Sequence, residues 1–221
     1  MNIVTLRRRE MSELPIKEKL KKLGCIMWFP LDEENGLNDV IGDKVITVIP
    51  QLESNAYIKW DDNKEMYAFF TASRSYPCGR IDTGFDAQTF VNGYSALIFG
   101  EAINQRGTSE LIINNSDNVI CNNTRNATTN IANWNAYNFI PVITIAYRDG
   151  RKIYENTVKV IDDSYTYNYT DAAWANPINF KIYNTGTWAR SSGMYFKNFM
   201  IFNKTLTEAE YFRVLDILGW K

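Results

Sequence analysis

A strand that runs directly into a helix with a marked start constrains the fold more than any other feature of the sequence. The strand segment is Met194–Asn203, and an N-cap residue, Thr207, follows shortly after it. Glu210 stands three residues beyond Thr207, which makes a capping box, and Leu206 and Tyr211 occupy the two positions of a hydrophobic staple. The sequence therefore predicts a closing strand that is pinned by a C-terminal helix.

The rest of the chain is dominated by short apolar segments separated by polar turns. Ser12–Leu23 predicts a short amphipathic helix, and the segments Val142–Arg148 and Arg151–Asn156 flank an Asp-Gly pair suited to a hairpin turn. About a dozen such strand segments favour an all-β class: a two-sheet antiparallel sandwich with a short N-terminal helix and a C-terminal helix. We expect two regions, a basic arm with its helix at 1–24 and the sandwich at 25–221.

The residue types in the sequence argue against several functions and against a membrane location. The sequence contains no histidine, which excludes Ser-His-Asp and Cys-His catalysis and metal sites with histidine ligands. The three cysteines have no CxxC spacing, so we expect buried thiols rather than a zinc site or a disulfide framework. No segment has the roughly 18 apolar residues of a membrane span, and no signal peptide is visible, so no membrane partner is expected.

Three blocks of sequence, in order, resemble laminin-G-like, concanavalin-A-like jelly-roll domains. Trp28–Asp32 with Asp39–Gly42 is similar to the opening strand and its loop, and Ile143–Tyr154 is similar to a central hairpin with a DG turn. Phe196–Glu210 resembles the closing pattern of an aromatic-Asn strand end followed by Leu-Thr-x-x-Glu. The similarity spans about residues 25–219, and it implies a two-sheet antiparallel jelly-roll sandwich.

Glucan-cleaving relatives share this architecture and use two carboxylates on one side of a strand. The candidate pairs here are adjacent residues, such as Asp61-Asp62 and Asp162-Asp163. Neighbouring residues of a strand point to opposite faces, so such pairs do not share a substrate side. No Glu-x-Asp-x-x-Glu arrangement occurs either. We therefore expect a protein that is not an enzyme.

One polar loop offers oxygen ligands for calcium, the only cofactor considered. Asp32, Asp39 and Asp43 lie close together in sequence and are of the type that hard cations prefer. The alternative is a loop whose side chains bond their own backbone. Relatives often carry an acidic pair in the closing strand, where this chain has Lys197-Asn198, which argues against a calcium site at that position.

Aromatic residues in polar, loop-like segments are candidates for glycan binding. An exposed ring stacks on a sugar face while neighbouring amides bond its hydroxyls. The alternative is that these rings cover the core or fill an interface, whereas Trp28 and Trp60, in apolar strands, are expected in the core. The candidate residues are Trp134 with its neighbours Asn133 and Asn135, together with Trp174, Trp188 and Tyr167.

The N-terminal arm carries seven basic and three acidic residues within 1–24. Arg7, Arg8, Arg9, Ile16 and Leu20 are therefore candidates for docking onto a partner, with a solvated helix face as the alternative. The basic cluster is short and lacks interleaved aromatic residues, so no nucleic-acid partner is expected.

Jelly-roll modules with such an anchor resemble the decoration and tail modules of bacteriophage particles. The resemblance implies a non-catalytic virion protein, attached to other virion proteins through its arm in a multi-copy assembly and presenting a domain for cell-surface glycans. The alternative is a free-standing carbohydrate-binding or adhesion module at a cell surface or outside the cell.

Overall fold

The computed structural model describes residues 14–48, 57–71, 79–85, 93–102, 109–115, 118–119, 140–146, 150–163, 178–184 and 192–220. Within these ranges lie two helices, α1 (Ile16–Lys22) and α2 (Glu208–Ile217), and thirteen strands. No helix in these ranges has the length and apolar character that crossing a bilayer requires. The strands are β1 (Cys25–Phe29), β2 (Thr47–Val48), β3 (Tyr57–Asp61), β4 (Met66–Thr71), β5 (Gly79–Phe85), β6 (Tyr94–Ala102), β7 (Ser109–Asn115), β8 (Asn118–Val119), β9 (Ile140–Ala146), β10 (Arg151–Glu155), β11 (Val158–Asp163), β12 (Ile178–Asn184) and β13 (Ser192–Phe202).

The strands form two antiparallel sheets. The larger sheet has eight strands in the order β11-β10-β9-β6-β13-β4-β3, with β1 also paired to β13. The smaller sheet has five strands in the order β2-β5-β12-β7-β8. The predicted mostly-β class, with a short N-terminal helix and a C-terminal helix, is confirmed. β13 is central to the larger sheet because it pairs with β6 along one side and with β4 and β1 along the other.

One core cluster contains residues from both sheets. Ile81 of β5 is completely buried in the same cluster as Phe69, Phe196 and Phe199 of the larger sheet. Phe69 and Phe196 meet edge to face at 4.8 Å between ring centroids, and Phe29 stacks on Phe199 at 5.9 Å. Burying a side chain of this size contributes about 1.5–3 kcal/mol. We call the face of the larger sheet that carries these residues its inner face.

A second cluster lies on the other side of the larger sheet, which we call the outer face, and both helices cover it. Leu20 of α1 is completely buried there, and α1 contacts α2 and β1. The sequence placed this helix in an appended arm, whereas the core of the domain includes residues on the N-terminal side of the predicted boundary. The sheet contributes Leu97, Phe99, Ile143, Ile145, Tyr154, Met200 and Phe202, and the helices contribute Leu20, Leu23, Tyr211, Val214 and Leu215.

The start of α2 follows the sequence prediction closely. The Thr207 hydroxyl accepts a hydrogen bond from the Glu210 backbone N–H, and the Glu210 carboxylate accepts one from the Thr207 backbone N–H at 2.9 Å. Leu206 and Tyr211 are both buried in the second cluster. The predicted capping box and hydrophobic staple are therefore confirmed.

A β-bulge divides β13 into two parts. Phe196 and Phe199 both belong to the inner cluster although they are three residues apart, which strict alternation does not allow. The pairing with β6 shifts between Lys197 and Met200, and Asn198 has φ 58°. Its side-chain oxygen accepts a hydrogen bond from the Trp28 indole at 3.0 Å, and its backbone N–H donates to the carbonyl of Pro30. The extra residue shifts the alternation by one position, so that Met200 and Phe202 beyond it lie on the outer face.

The prediction from the sequence missed two strands and placed the ends of several others a few residues away from where they lie. Gly79–Phe85 and Val158–Asp163 were not predicted, yet they form β5 and β11. β5 carries two glycines and an aspartate, residues that are depleted in strands. The predicted hairpin partners form the β9–β10 pair, while Asp149 of its turn and the predicted strand at 164–170 lie outside the described residues.

Cys25 fits the prediction of a buried thiol. Its side chain is 3% exposed, the thiol donates to the Met27 carbonyl at 3.3 Å, and burial raises its pKa. Because the thiolate is the reactive form, Cys25 is chemically inert in this position. Cys78 and Cys121 lie outside the described residues.

Candidate functional site

The part of the outer face that the helices leave uncovered holds a groove. Lys59 of β3, Ala68 of β4 and Tyr195 of β13 lie side by side in register across three strands. Tyr195 precedes the inward-pointing Phe196, so these three side chains belong to the outer face. The groove has a volume of about 500 Å³ and is lined by Tyr57, Lys59, Trp60, Asp61, Asp62, Asn63, Ala68 and Tyr195.

Local alternation explains how β3 contributes three side chains to one side of this lining. Tyr57, Lys59 and Asp61 are two residues apart, so they project from the same side of the strand. Ala68 forms the floor beside them, because its small side chain leaves a hollow between the longer ones of the neighbouring strands. A volume near 500 Å³ lies within the range of roughly 300–1,000 Å³ typical of small-molecule sites.

Asp61 connects β3, β13 and the β3–β4 turn through hydrogen bonds. The Tyr195 hydroxyl donates to Asp61 Oδ2 at 2.8 Å, which links β13 to the end of β3 across β4. Asp61 Oδ1 accepts from the backbone N–H groups of Asn63 at 2.9 Å and Lys64 at 3.2 Å. The ammonium of Lys64 lies 5.4 Å from the centroid of the Tyr195 ring, within cation–π range. The β3–β4 turn and the Tyr195 ring are therefore held in one arrangement.

The electrostatics of Asp61 follow from these contacts. The Tyr195 hydroxyl holds the pKa of the Asp61 carboxyl below its ordinary value, with the two backbone N–H groups and the Lys64 charge acting in the same direction, against a smaller opposing effect of desolvation. Asp61 is thus an ionised hydrogen-bond acceptor at neutral pH. Both of its oxygens are already engaged, so its role is to position neighbouring residues.

Tyr57 is the aromatic side chain that β3 presents to the groove. It is 42% exposed and lies at the start of the strand. Trp60 was expected in the core, but it is only partly buried. It contributes atoms to the groove lining, but its ring meets Tyr67 edge to face at 5.2 Å, on the opposite face of the strand from Lys59 and Asp61. The expectation for Trp60 was wrong because the outermost strand of a sheet has a neighbour on one side only.

The loop aromatics predicted for glycan binding are not placed by the structure. Trp134, Asn133 and Asn135 lie outside the described residues, and so do Trp174, Trp188 and Tyr167. They stay predictions.

The structure describes two of the five candidate anchor residues. Arg7, Arg8 and Arg9 lie outside the described residues. Ile16 is 44% exposed on α1 and available to a partner, whereas Leu20 is completely buried in the protein's own core. Leu20 therefore holds α1 against the sheet, and only Ile16 of the predicted apolar pair lies on the surface.

The three carboxylates considered for calcium are directed at different partners. Asp32 accepts hydrogen bonds from the backbone and side-chain N–H groups of Asn35. Asp39 is buried and accepts from the backbone N–H groups of Trp28, Ile41 and Gly42, while exposed Asp43 forms an ion pair with Lys44. Within the described ranges, no group of three or more His, Cys, Asp or Glu side chains is arranged to hold a metal.

Gly42 shows how tightly Asp39 is fitted into this loop. A Cβ at Gly42 would lie 2.7 Å from Asp39 Oδ2, closer than atoms approach without a bond. Asp39 thus ties the loop to β1, which matches the alternative interpretation in which the side chains of the loop bond backbone groups.

Sequence reasoning missed the groove because its key contact is long-range. The alternation of Tyr57, Lys59 and Asp61 is visible in the sequence and marks one polar side of a strand. The bond between Tyr195 and Asp61, which are 134 residues apart, depends on the order of strands in the sheet. That order cannot be read from local pattern.

Comparison with solved structures finds likenesses of fold. No protein-family model and no curated protein matches the sequence. The binding domain of botulinum neurotoxin serotype D/C matches with a TM-score of 0.59 and 12% identity, over 94% of this chain and 53% of that one. A botulinum neurotoxin DC binding domain in complex with SialylT matches with the same values. The chain therefore spans about half the length of the neurotoxin domains it matches.

A third likeness covers a complete domain. Domain 4 of AbnA, an extracellular arabinanase of Geobacillus stearothermophilus, was solved in complex with arabinotriose. It matches with a TM-score of 0.57 and 14% identity, over 87% of this chain and 97% of that domain. These likenesses confirm the predicted resemblance to concanavalin-A-like jelly-roll domains, and they concern the fold alone.

Proposed function

We propose that the protein is a non-catalytic carbohydrate-binding or adhesion module built on a two-sheet jelly-roll sandwich. The observation that carries this proposal is the groove on the uncovered outer face, where tyrosines, an amide and carboxylates converge around a hollow of about 500 Å³. Solved structures of similar fold contain arabinotriose or SialylT, which supports a carbohydrate rather than another small molecule.

The groove has the chemistry that sugars require. A sugar ring has an apolar face, which stacks on an aromatic ring, and a rim of hydroxyls, which both donate and accept hydrogen bonds. Tyr57 supplies an exposed ring. Asp62 and Asn63, exposed on the β3–β4 turn, supply acceptors and a donor. The turn is already fixed by its bonds to Asp61, so binding costs little additional ordering.

The state of Asp61 supports a non-catalytic role for this groove. A glycosidase needs one carboxyl group that stays protonated at working pH, with a raised pKa, so that it can donate a proton to the leaving oxygen. The pKa of Asp61 is shifted in the opposite direction. Its two oxygens accept hydrogen bonds from Tyr195 and the turn, contacts that stabilise the ionised form rather than a proton donor.

The setting of the module is a separate proposal. A virion component anchored through residues 1–24, in a multi-copy assembly, is supported by exposed Ile16 and the neighbouring lysines of α1. A free-standing module at a cell surface or outside the cell needs no such anchor, and the fold likenesses to toxin and arabinanase domains favour it.

A glycan array probed with the purified protein tests the function, followed by calorimetry on the glycans that bind. We expect binding that Tyr57→Ala weakens at least about tenfold. Val158→Ala is the matched control, because Val158 is 62% exposed on β11, at the far edge of the larger sheet. Trp134→Ala and Trp174→Ala test the loop aromatics in parallel. An array without any specific signal would refute the proposal.

A further inference from the structure

The charges around the groove restrict the ligand that it can hold. Among the lining residues, Asp61 and Asp62 are acidic and Lys59 is basic. Lys64 is a second nearby cation, but its ammonium lies over the Tyr195 ring and its backbone N–H bonds Asp61. A ligand carboxylate placed at the turn would therefore approach the carboxyl groups of both Asp61 and Asp62, with the cation of Lys64 already directed elsewhere. Like-charge repulsion disfavours an acidic sugar group at this end of the groove.

The hydrogen-bonding groups left for a ligand lie at one end of the groove. Tyr195 and the turn N–H groups already bond both Asp61 oxygens, whereas Asp62 is exposed on the turn, so Asp62 is the more accessible carboxylate for ligand hydroxyls. A carboxylate accepts two neighbouring hydroxyls at once, and the amide of Asn63 beside it both donates and accepts. This combination fits a pair of hydroxyls on one sugar ring.

The aromatic platform lies at the other end. Tyr57 and Asp61 are four residues apart on β3, so about 13 Å separates their positions along the strand. One face of the Tyr195 ring, in contrast, has the Lys64 ammonium over it. A single sugar ring is too short to reach both Tyr57 and the turn, whereas a short chain of sugars covers the distance.

We infer that the groove binds an uncharged oligosaccharide laid along β3, with one sugar stacked on Tyr57 and the hydroxyls of another on Asp62 and Asn63. This inference rests on the proposed carbohydrate-binding function and adds the ligand class and its direction. Asp61 and Tyr195 act as positioning residues, since they fix the turn that presents Asp62.

Calorimetry with defined sugars tests the inference on the full-length protein. The uncharged probes are arabinotriose, xylotriose, cellotriose and maltotriose, with their monosaccharides, and the acidic probe is 3′-sialyllactose. We expect at least one uncharged trisaccharide to bind, at least about tenfold tighter than its monosaccharide. Because the contacts are not ionic, its Kd should change less than about twofold between low and high salt.

Three exposed substitutions locate the binding. Asp62→Asn should weaken the trisaccharide about tenfold, and Tyr57→Ala by at least as much. Val158→Ala, an exposed change on β11 at the far edge of the larger sheet, is the control and should alter Kd by less than about twofold. Thermal melting of each variant confirms that it is folded, and amide chemical-shift perturbation on β3 provides a second readout of the site.

The outcomes separate the two proposals. Binding of 3′-sialyllactose alone, lost in Lys59→Gln, would overturn the uncharged-ligand inference and leave the carbohydrate-binding function standing. Trisaccharide binding that none of the groove substitutions affects would also overturn the inference, because the site would lie elsewhere. Failure of every sugar here and on the array would overturn both.

Discussion

The outer face of the larger sheet has two halves that differ in what covers them. One half carries Leu97, Phe99 and Phe202, and α1 and α2 bury it. The other half carries Lys59, Ala68 and Tyr195 and is open as a groove. Both halves belong to one continuous sheet and share β13, so strand pairing does not distinguish them.

The difference separates a half that supports the fold from a half that is exposed as a groove. In the covered half, large apolar side chains meet the apolar stripes of two helices, and their burial supports the fold. In the open half, the small side chain of Ala68 lies between longer polar ones, which leaves a hollow of about 500 Å³. Disrupting either half should therefore produce a different loss: of stability on one side, of binding on the other.

The largest effect is expected from Leu20→Ala in the covered half. Leu20 is completely buried between α1 and the sheet, and removing such a side chain costs about 2–5 kcal/mol of unfolding free energy. Urea denaturation measures the loss. Ile16→Ala, on the same helix but 44% exposed, should change stability by no more than about 0.5 kcal/mol. Equal effects of the two substitutions would contradict the packing of α1 described above.

The second-largest loss of stability is expected from substitutions of Asn198, in the bulge of β13. Asn198→Ala should destabilise the protein by about 2 kcal/mol, because alanine is strained at φ 58° and the bond from the Trp28 indole is lost. Asn198→Gly removes the same bond without the strain, so we expect about half the loss. Denaturant titration of both variants compares them, and a larger loss for glycine would show that the positive φ is unimportant.

A smaller loss of stability is expected from the cap of α2. Thr207→Ala removes the side-chain acceptor for the Glu210 backbone N–H, which costs about 1 kcal/mol. Thr207→Ser keeps the hydroxyl and serves as the control. Thermal unfolding should separate alanine from serine, while the Kd for a bound sugar should be unchanged in both, because α2 covers the other half of the face.

The smallest effect on stability belongs to the groove. Tyr195→Phe removes the main cause of the lowered pKa of Asp61, so the carboxyl pKa should rise toward its ordinary value. A lowered folded-state pKa gives stability that is present above the unfolded-state pKa and lost as pH falls through the folded-state value. The parent should therefore lose this contribution only in acid. Tyr195→Phe should lack the part that the Tyr195 hydroxyl supplies and keep the part from the turn N–H groups. NMR titration of the Asp61 carboxyl carbon checks the shift directly.

The same substitution should affect recognition more than folding. Tyr195→Phe keeps the ring but releases the turn, so the weakening of sugar binding should exceed any change in melting temperature. Unchanged sugar binding in this variant would mean that Asp61 does not position the turn for a ligand.

The covered half was largely predictable from the sequence, and the open half was not. The capping box at Thr207 and Glu210 and the staple of Leu206 and Tyr211 are local patterns that specify a helix lying against apolar neighbours. Leu20, in contrast, was placed on a docking surface, because an amphipathic stripe does not reveal whether it faces the protein's own sheet or a partner.

The contacts of the open half join residues that are far apart in the sequence, so they cannot be predicted from a short segment of it. Tyr195 meets Asp61 only because β4 lies between β13 and β3 in the sheet. Trp60 was expected in the core because it was assigned to an apolar strand, but charged Lys59 and Asp61 flank it, and it lies partly buried on the outermost strand. The sequence pattern therefore predicts correctly that Trp60 lies in a strand and incorrectly that it is buried in the core.

The single extra residue at Asn198 has a consequence for how the molecule can change over time. Because Asn198 shifts the alternation of β13 by one position, deleting it would turn one part of the strand over relative to the other. Either Tyr195 would leave the outer face, or Met200 and Phe202 would leave the cluster beneath the helices.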